Sequence, residues 1–213
     1  MKKLLLLAFA FIAFLAALAA QDFSGAIVKG QQSHIAIPDF RGAGDAQKFM
    51  AVFNQTLLSD VNGSGLLKMV PKTSYPLAVP QQPSDFSSTS TAGQNLGGHS
   101  MSDWAGPPTS ANYLAFGYAA TQNGVFVLRG WLFDLSQNTP AAAQVIAKNY
   151  LGSVDEAGAR KTAHEFAADI IAKFGGKSLF GTHIYFVHQA AVGSPKEIWV
   201  MDWDGGKIGR AHV

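Results

Sequence analysis

Six histidines and a scatter of carboxylates are the side chains in this sequence with the most chemistry to offer, and their spacing decides what kind. His34, His99, His164, His183 and His188 show no metal-ligand spacing. His183 and His188 fall in one expected strand, five apart, and so face opposite sides of it. His164, beside Glu165, is placed by the apolar spacing on the exposed side of a helix. Asp22, Asp39, Asp45 and Asp60 are scattered, with no sign of a carboxylate pair for acid–base work. Asp202-Trp203-Asp204-Gly205 opens like a calcium loop but lacks the third acidic position and the distal Glu, which leaves a hairpin turn. Gly42-Ala43-Gly44-Asp45 lies where phosphate loops lie, between strand and helix, yet matches neither GxGxxG nor GK[ST], so it reads as a turn before a helix cap. No GxSxG occurs. These patterns predict no catalytic residue, no cofactor and no metal, and a binding or assembly role.

The elements that must position these groups can be read from periodicity. Residues 34–40 (HIAIPDF) form a first strand that Pro38 closes or places at a sheet edge, and 41–44 are a glycine turn. Asp45 is placed to cap a helix running to about Val61, with Phe49, Phe53, Leu57 and Val61 on its buried stripe. Gly65 takes the left-handed position after it, and 66–70 form a second strand, parallel to the first. Residues 71–110 hold six prolines and a long polar stretch, an excursion too long for an ordinary loop, with a short helix at Asp103-Trp104 that tucks Trp104 against the core. Order returns with a strand over 113–121, an Asn123-Gly124 turn and a partner strand over 125–135. Tyr113, Phe116, Tyr118, Phe126, Trp131 and Phe133 on these strands read as core and cross-strand packing. A strand over 142–151 and a helix over 155–174 follow, the helix carrying Ala163, Phe166, Ala167, Ile170, Ile171 and Phe174 on one stripe. Last comes a hairpin, 182–189 with 197–203, which is marginal alone and reads as the opening of a larger β-structure.

Both ends carry separate signals. Met1-Lys2-Lys3, an uncharged apolar run and a small-x-small site predict a secretory signal peptide over 1–19. That run is short for a membrane span. Residues 208–213 (IGRAHV) are also the translation of a common sequencing adapter, ATC GGA AGA GCA CAC GTC, and are expected to be an artefact of that origin. Without Lys2, Lys3 and Arg210 the formal charge of +2 becomes −1, and no basic run exists, so nucleic acid is not an expected partner. With no cysteine, the exported chain must be held by its core.

The ordered set resembles the N-terminal part of the TolB family of the periplasmic Tol–Pal system. The residues that carry it are Ile35-Ala36-Ile37-Pro38-Asp39-Phe40, Gly65-Leu66-Leu67-Lys68-Met69-Val70-Pro71, the 113–135 hairpin with Trp131-Leu132-Phe133-Asp134, the helix ending at Gly175-Gly176, and the 181–205 hairpin. The resemblance implies an α/β (α+β) fold: a mixed sheet of about five strands with two packed helices, then the first hairpin of an incomplete β-propeller. It divides the chain into a signal peptide (1–19), an arm (20–33), the α/β domain (34–178), the propeller hairpin (179–207) and the tail (208–213). It also implies a non-enzymatic scaffold linking inner- and outer-membrane partners, which serves envelope integrity, cell division and protein import. A TolA-type protein would bind the arm and a Pal-type lipoprotein the propeller, with no membrane insertion after signal cleavage. On the arm, Asp22, Phe23, Ile27 and Val28 are the candidate partner-binding residues, the apolar three placed for strand addition. Two other readings remain open: the N-terminal part of a secreted β-propeller hydrolase or peptidase, and a small periplasmic partner-binding module.

Overall fold

The computed structural model describes residues 32–86, 99–206 and 208–211. The signal peptide and Asp22, Phe23, Ile27 and Val28 lie outside the described residues. The chain enters a short strand β1 (His34–Ala36), then β2 (Arg41–Ala43), a 3-10 turn and helix α1 (Met50–Gly63). Strand β3 (Lys68–Met69) and the one-turn helix α2 (Met101–Ala105) lead to the long hairpin β4 (Tyr113–Gln122) and β5 (Val125–Asp134). A helical turn α3 (Pro140–Ala143), the edge strand β6 (Gln144–Gly152) and helix α4 (Glu156–Lys173) complete the first layer system. Three further strands, β7 (His183–His188), β8 (Glu197–Asp202) and β9 (Gly209–Arg210), form a separate antiparallel sheet.

The main sheet is mixed, in the order β3-β1-β4-β5-β6, with β2 also against β4. β1 runs parallel to both β3 and β4, as the strand–helix–strand order requires. The expected glycine turn at 41–44 is instead strand β2, paired in parallel with Tyr118, Ala119 and Ala120. Gly42 is needed there because a Cβ would stand 2.7 Å from the backbone of Gln47. β1 ends at Ala36, before Pro38, and pairing with β4 resumes at β2 after an interruption. The backbone groups freed at the interruption are met by side chains. Asn54 of α1 accepts from Phe40 N–H (2.9 Å) and donates to its carbonyl (3.0 Å), and the Tyr75 hydroxyl accepts from Ile37 N–H (3.0 Å).

Asp45 does not cap α1. It lies in the 3-10 turn, bonded to Lys48 at 2.7 Å, and α1 begins only at Met50. The left-handed Gly44 (φ 61°) tightens the entry into 3-10 geometry before the regular helix can start. Asp155 does cap α4, accepting from Gly158 N–H at 2.7 Å, and Gly65 (φ 65°) and Asn123-Gly124 (φ 51° and 74°) take the turn conformations their types favour.

Alternation along β4 and β5 sends side chains into two cores. Ala115, Ala119, Phe126, Leu128 and Leu132 face α1 and α4, where Phe53, Leu57, Val61, Phe166 and Ile170 are fully buried. Leu114, Phe116 and Phe133 face the opposite way, and the 71–110 excursion covers them with Phe86 and Trp104. Phe86 packs on Phe116 and Phe133 at centroid distances of 5.3 and 5.5 Å. Residues 71–86 and 99–110 thus cover this face: a sheet apolar on both faces needs a cover on each.

Phe166 is at the centre of the helical core. Its ring lies 5.4 Å from Tyr150 and 5.9 Å from Phe40, and Gly130 leaves it room, since a Cβ there would meet the ring at 3.1 Å. Phe166→Ala should cost about 3–5 kcal/mol by the cavity it opens, and Gly130→Ala about 1–3 kcal/mol by overpacking. Urea unfolding of both variants checks this, and a melt unchanged in Phe166→Ala would show that the helix does not pack there.

Candidate functional site

The group that stands out is an imidazole held between two carboxylates from distant parts of the chain. Asp60 follows Phe53 and Leu57 along the buried stripe of α1, so its carboxylate points at α4 rather than at solvent. His164 heads the row His164, Ala167, Ile171 on α4, all three buried. Packing α1 against α4 brings His164 Nδ1 to 2.6 Å from Asp60 Oδ2, with the two side chains 7% and 4% exposed. The other ring nitrogen, Nε2, lies 3.2 Å from Asp204 Oδ2.

Asp204 arrives from the second sheet. It sits in the turn after β8, where Gly205 (φ 83°) allows the reversal and Gly205 N–H bonds the Asp202 carbonyl at 2.9 Å. The same carboxylate accepts Gly206 N–H at 3.0 Å, which fixes the oxygen that faces His164. Two aromatic rings frame the imidazole: Phe180 stacks on it at 5.5 Å and Trp203 meets it edge-on at 5.6 Å. Beside this junction lies a cleft of about 310 Å³ lined by Arg160, Lys161, Phe180, His183 and Trp203.

His164 is therefore not on an exposed helix side, as its neighbour Glu165 suggested. The stripe of α4 is wider than the row through Ala163 and Phe166, because α1 covers one flank and the second sheet the other. Asp60 and Asp204, far apart in sequence, meet on one imidazole, which is why no carboxylate pair was visible. The signal was present in Asp60, a charged residue at a stripe position of an otherwise apolar helix face. Asp202-Trp203-Asp204-Gly205 is a strand end and turn, as read, and His183 pairs with Asp202 at 3.3 Å. Among the described residues no group of three or more His, Cys, Asp or Glu side chains is arranged to hold a metal ion.

The electrostatics follow from the geometry. Burial works against a charged ring at His164, but the bond and charge of Asp60, then the charge and bond of Asp204, outweigh it and raise its pKa above the ordinary 6.5. Burial likewise opposes the Asp204 carboxylate, yet the Gly206 N–H, His164 and Arg160 hold its pKa below the usual range. Chemically the arrangement is an ionic bridge between three elements, with a carboxylate at each ring nitrogen.

No known protein family and no curated protein matches the chain by sequence. Among solved structures, TolB from Acinetobacter baumannii superposes with a TM-score of 0.56 at 18% identity, over 84% of this chain and 38% of that one. The fold is TolB-like. The chain spans little more than a third of that TolB chain. PelC from Paraburkholderia phytofirmans (TM-score 0.36, 12% identity, 67% of this chain and 89% of that one) and the hypothetical protein CT253 from Chlamydia trachomatis (0.31, 11%, 57% and 73%) are more distant. Among the described residues no helix is long and apolar enough to cross a membrane.

Removing one partner of a buried ionic bridge leaves the other uncompensated. Asp60→Ala should therefore destabilise the chain by about 3–5 kcal/mol. Asp204→Ala should cost less, since its side chain is 19% exposed and water can replace the lost bond. Chemical denaturation of both variants ranks them, and equal losses would contradict the assignment of Asp60 as the deeper partner.

Proposed function

We propose that this chain is the N-terminal part of a non-enzymatic periplasmic scaffold of Tol–Pal type. The observation that carries the reading is the TolB-like fold, shared over 84% of the chain. The signal-peptide pattern at 1–19 supports export to the periplasm. The second sheet supports the propeller assignment of 179–207. Tyr185, Val187 and Ile198 on one of its faces and Ile184 on the other are 42–67% exposed, so both faces ask for a further layer. Propeller blades supply such layers by stacking face to face.

In this reading the arm 20–33 engages a TolA-type inner-membrane protein by strand addition through Phe23, Ile27 and Val28, with Asp22 at its start. The propeller engages a Pal-type outer-membrane lipoprotein. The chain bridges the two, serving envelope integrity, cell division and protein import. Residues 34–178 are the rigid platform between them.

The test uses purified TolA-type periplasmic domain as bait, with the full mature chain and with a version lacking residues 20–32. Capture that disappears with the arm is the expected result. Equal capture by both forms would remove the arm from the interface, and no capture by either would remove the Tol–Pal assignment.

A further inference from the structure

We propose that His164 is a proton-operated latch: charged, it clamps the turn of the second sheet onto the helical layer, and neutral, it keeps Asp60 and lets Asp204 go. An imidazolium has two N–H groups, and a neutral imidazole has one donor and one acceptor. Both ring nitrogens of His164 face carboxylate oxygens, at 2.6 and 3.2 Å. Ionised carboxylates only accept, so only the charged ring satisfies both contacts at once. On losing one proton the ring must present a lone pair to one carboxylate.

Which carboxylate loses is set by depth and distance. The Asp60 contact is shorter and lies between helices whose packing is already fixed by Phe53, Leu57, Phe166 and Ile170. The proton stays on Nδ1. The Nε2 lone pair then faces Asp204, whose side chain is only 19% exposed, and repulsion replaces a charge-assisted bond.

The second sheet is built to respond. No strand of β7-β8-β9 pairs with the main sheet. It is tethered through residues 174–182, where Gly175 (φ 76°) and Gly181 (φ 82°) bracket the linker. The linker reaches His164 through the Phe180 stack, and the turn after β8 through the Trp203 edge and the Asp204 carboxylate. Charged groups sit on every element packed around the imidazole, and on the linker Lys177 lines a cavity shared with Asp60 and Trp203. On α4, Arg160 is paired with Glu156 at 2.9 Å and Lys161 with Glu165 at 2.9 Å. On α1 there is Asp60, and on the second sheet the His183–Asp202 pair and Asp204. Arg160 also attracts Asp204 whatever the state of His164, so it opposes opening and sets how far the equilibrium moves when the His164 bond is lost.

The direction of the response follows from linkage. A histidine whose folded-state pKa is raised contributes its full stabilisation below the unfolded value, near 6.5, and loses it as pH climbs through the raised value. The latch is closed at mildly acidic pH and opens on the alkaline side. Opening would swing Phe180 and Trp203 off the imidazole and unroof the 310 Å³ cleft beside them.

The chain has no cysteine, so Gln122→Cys and Val192→Cys provide the two attachment points for spin labels, one on each sheet system. Inter-label distances in the full chain should form a narrow distribution at about pH 6 and a broad one at about pH 9, with the docked-to-undocked ratio falling about tenfold or more. In Asp204→Asn the amide donates to a neutral ring and accepts from a charged one, so the profile should flatten. His164→Phe keeps the ring stack and removes the proton, and should flatten it too. A wild-type distribution that is unchanged between the two pH values overturns the proposal even if the variants fail to fold. So does an Asp204→Asn profile that follows the wild type.

Discussion

A buried imidazole flanked by two carboxylates is the constraint on which this architecture turns. Burying an ionic group carries a desolvation penalty, and it is tolerated only where partners and geometry offset it. Here the partners come from α1, from α4 and from the turn after β8, so the bridge forms only when all three are in place. The helices are already packed through Phe53, Leu57, Phe166 and Ile170. The Asp60–His164 contact adds an ionic link across that interface, and Asp204 adds one from the turn after β8. The aromatic rings of Phe180 and Trp203 close the site from the sides and keep the local dielectric low, which strengthens each ionic contact.

The helical layer that carries this bridge exists because the main sheet is apolar on both faces. One face is taken by α1 and α4, and the other by the 71–110 excursion, whose Phe86 and Trp104 replace a helix pair with two large aromatic residues and a capped single turn. The second sheet has no such cover among the described residues, and its Tyr185, Val187 and Ile198 are exposed.

Much of this was legible locally. Asn123-Gly124 marks the β4–β5 turn because both residues accept positive φ. Asp155 marks the start of α4 and the 163–174 stripe its buried face, since capping and a 3.6-residue period are properties of the segment itself. Trp104 was readable as a core residue from its size in a short helical turn. What failed depended on neighbours distant in sequence. β2 hides behind two glycines, and only the approach of the 3-10 turn explains Gly42. Asp45 has the residue type of a cap, but the left-handed Gly44 before it imposes a tighter turn. His164 sits at the edge of its stripe, and only the positions of α1 and the second sheet decide that the edge is buried. The candidate site was thus the least legible part: its three residues are separated by 104 and 40 positions and meet only in the folded chain.

The central claim is that the His164 ring is charged and donates from both nitrogens at once. Nitrogen-15 NMR of the imidazole in the full chain reads this directly, because protonated and unprotonated ring nitrogens resonate far apart. The account expects both nitrogens to remain protonated above pH 6.5, where a free histidine is already losing its charge. A ring that titrates at or below that value, or that shows one bare nitrogen throughout, would contradict it.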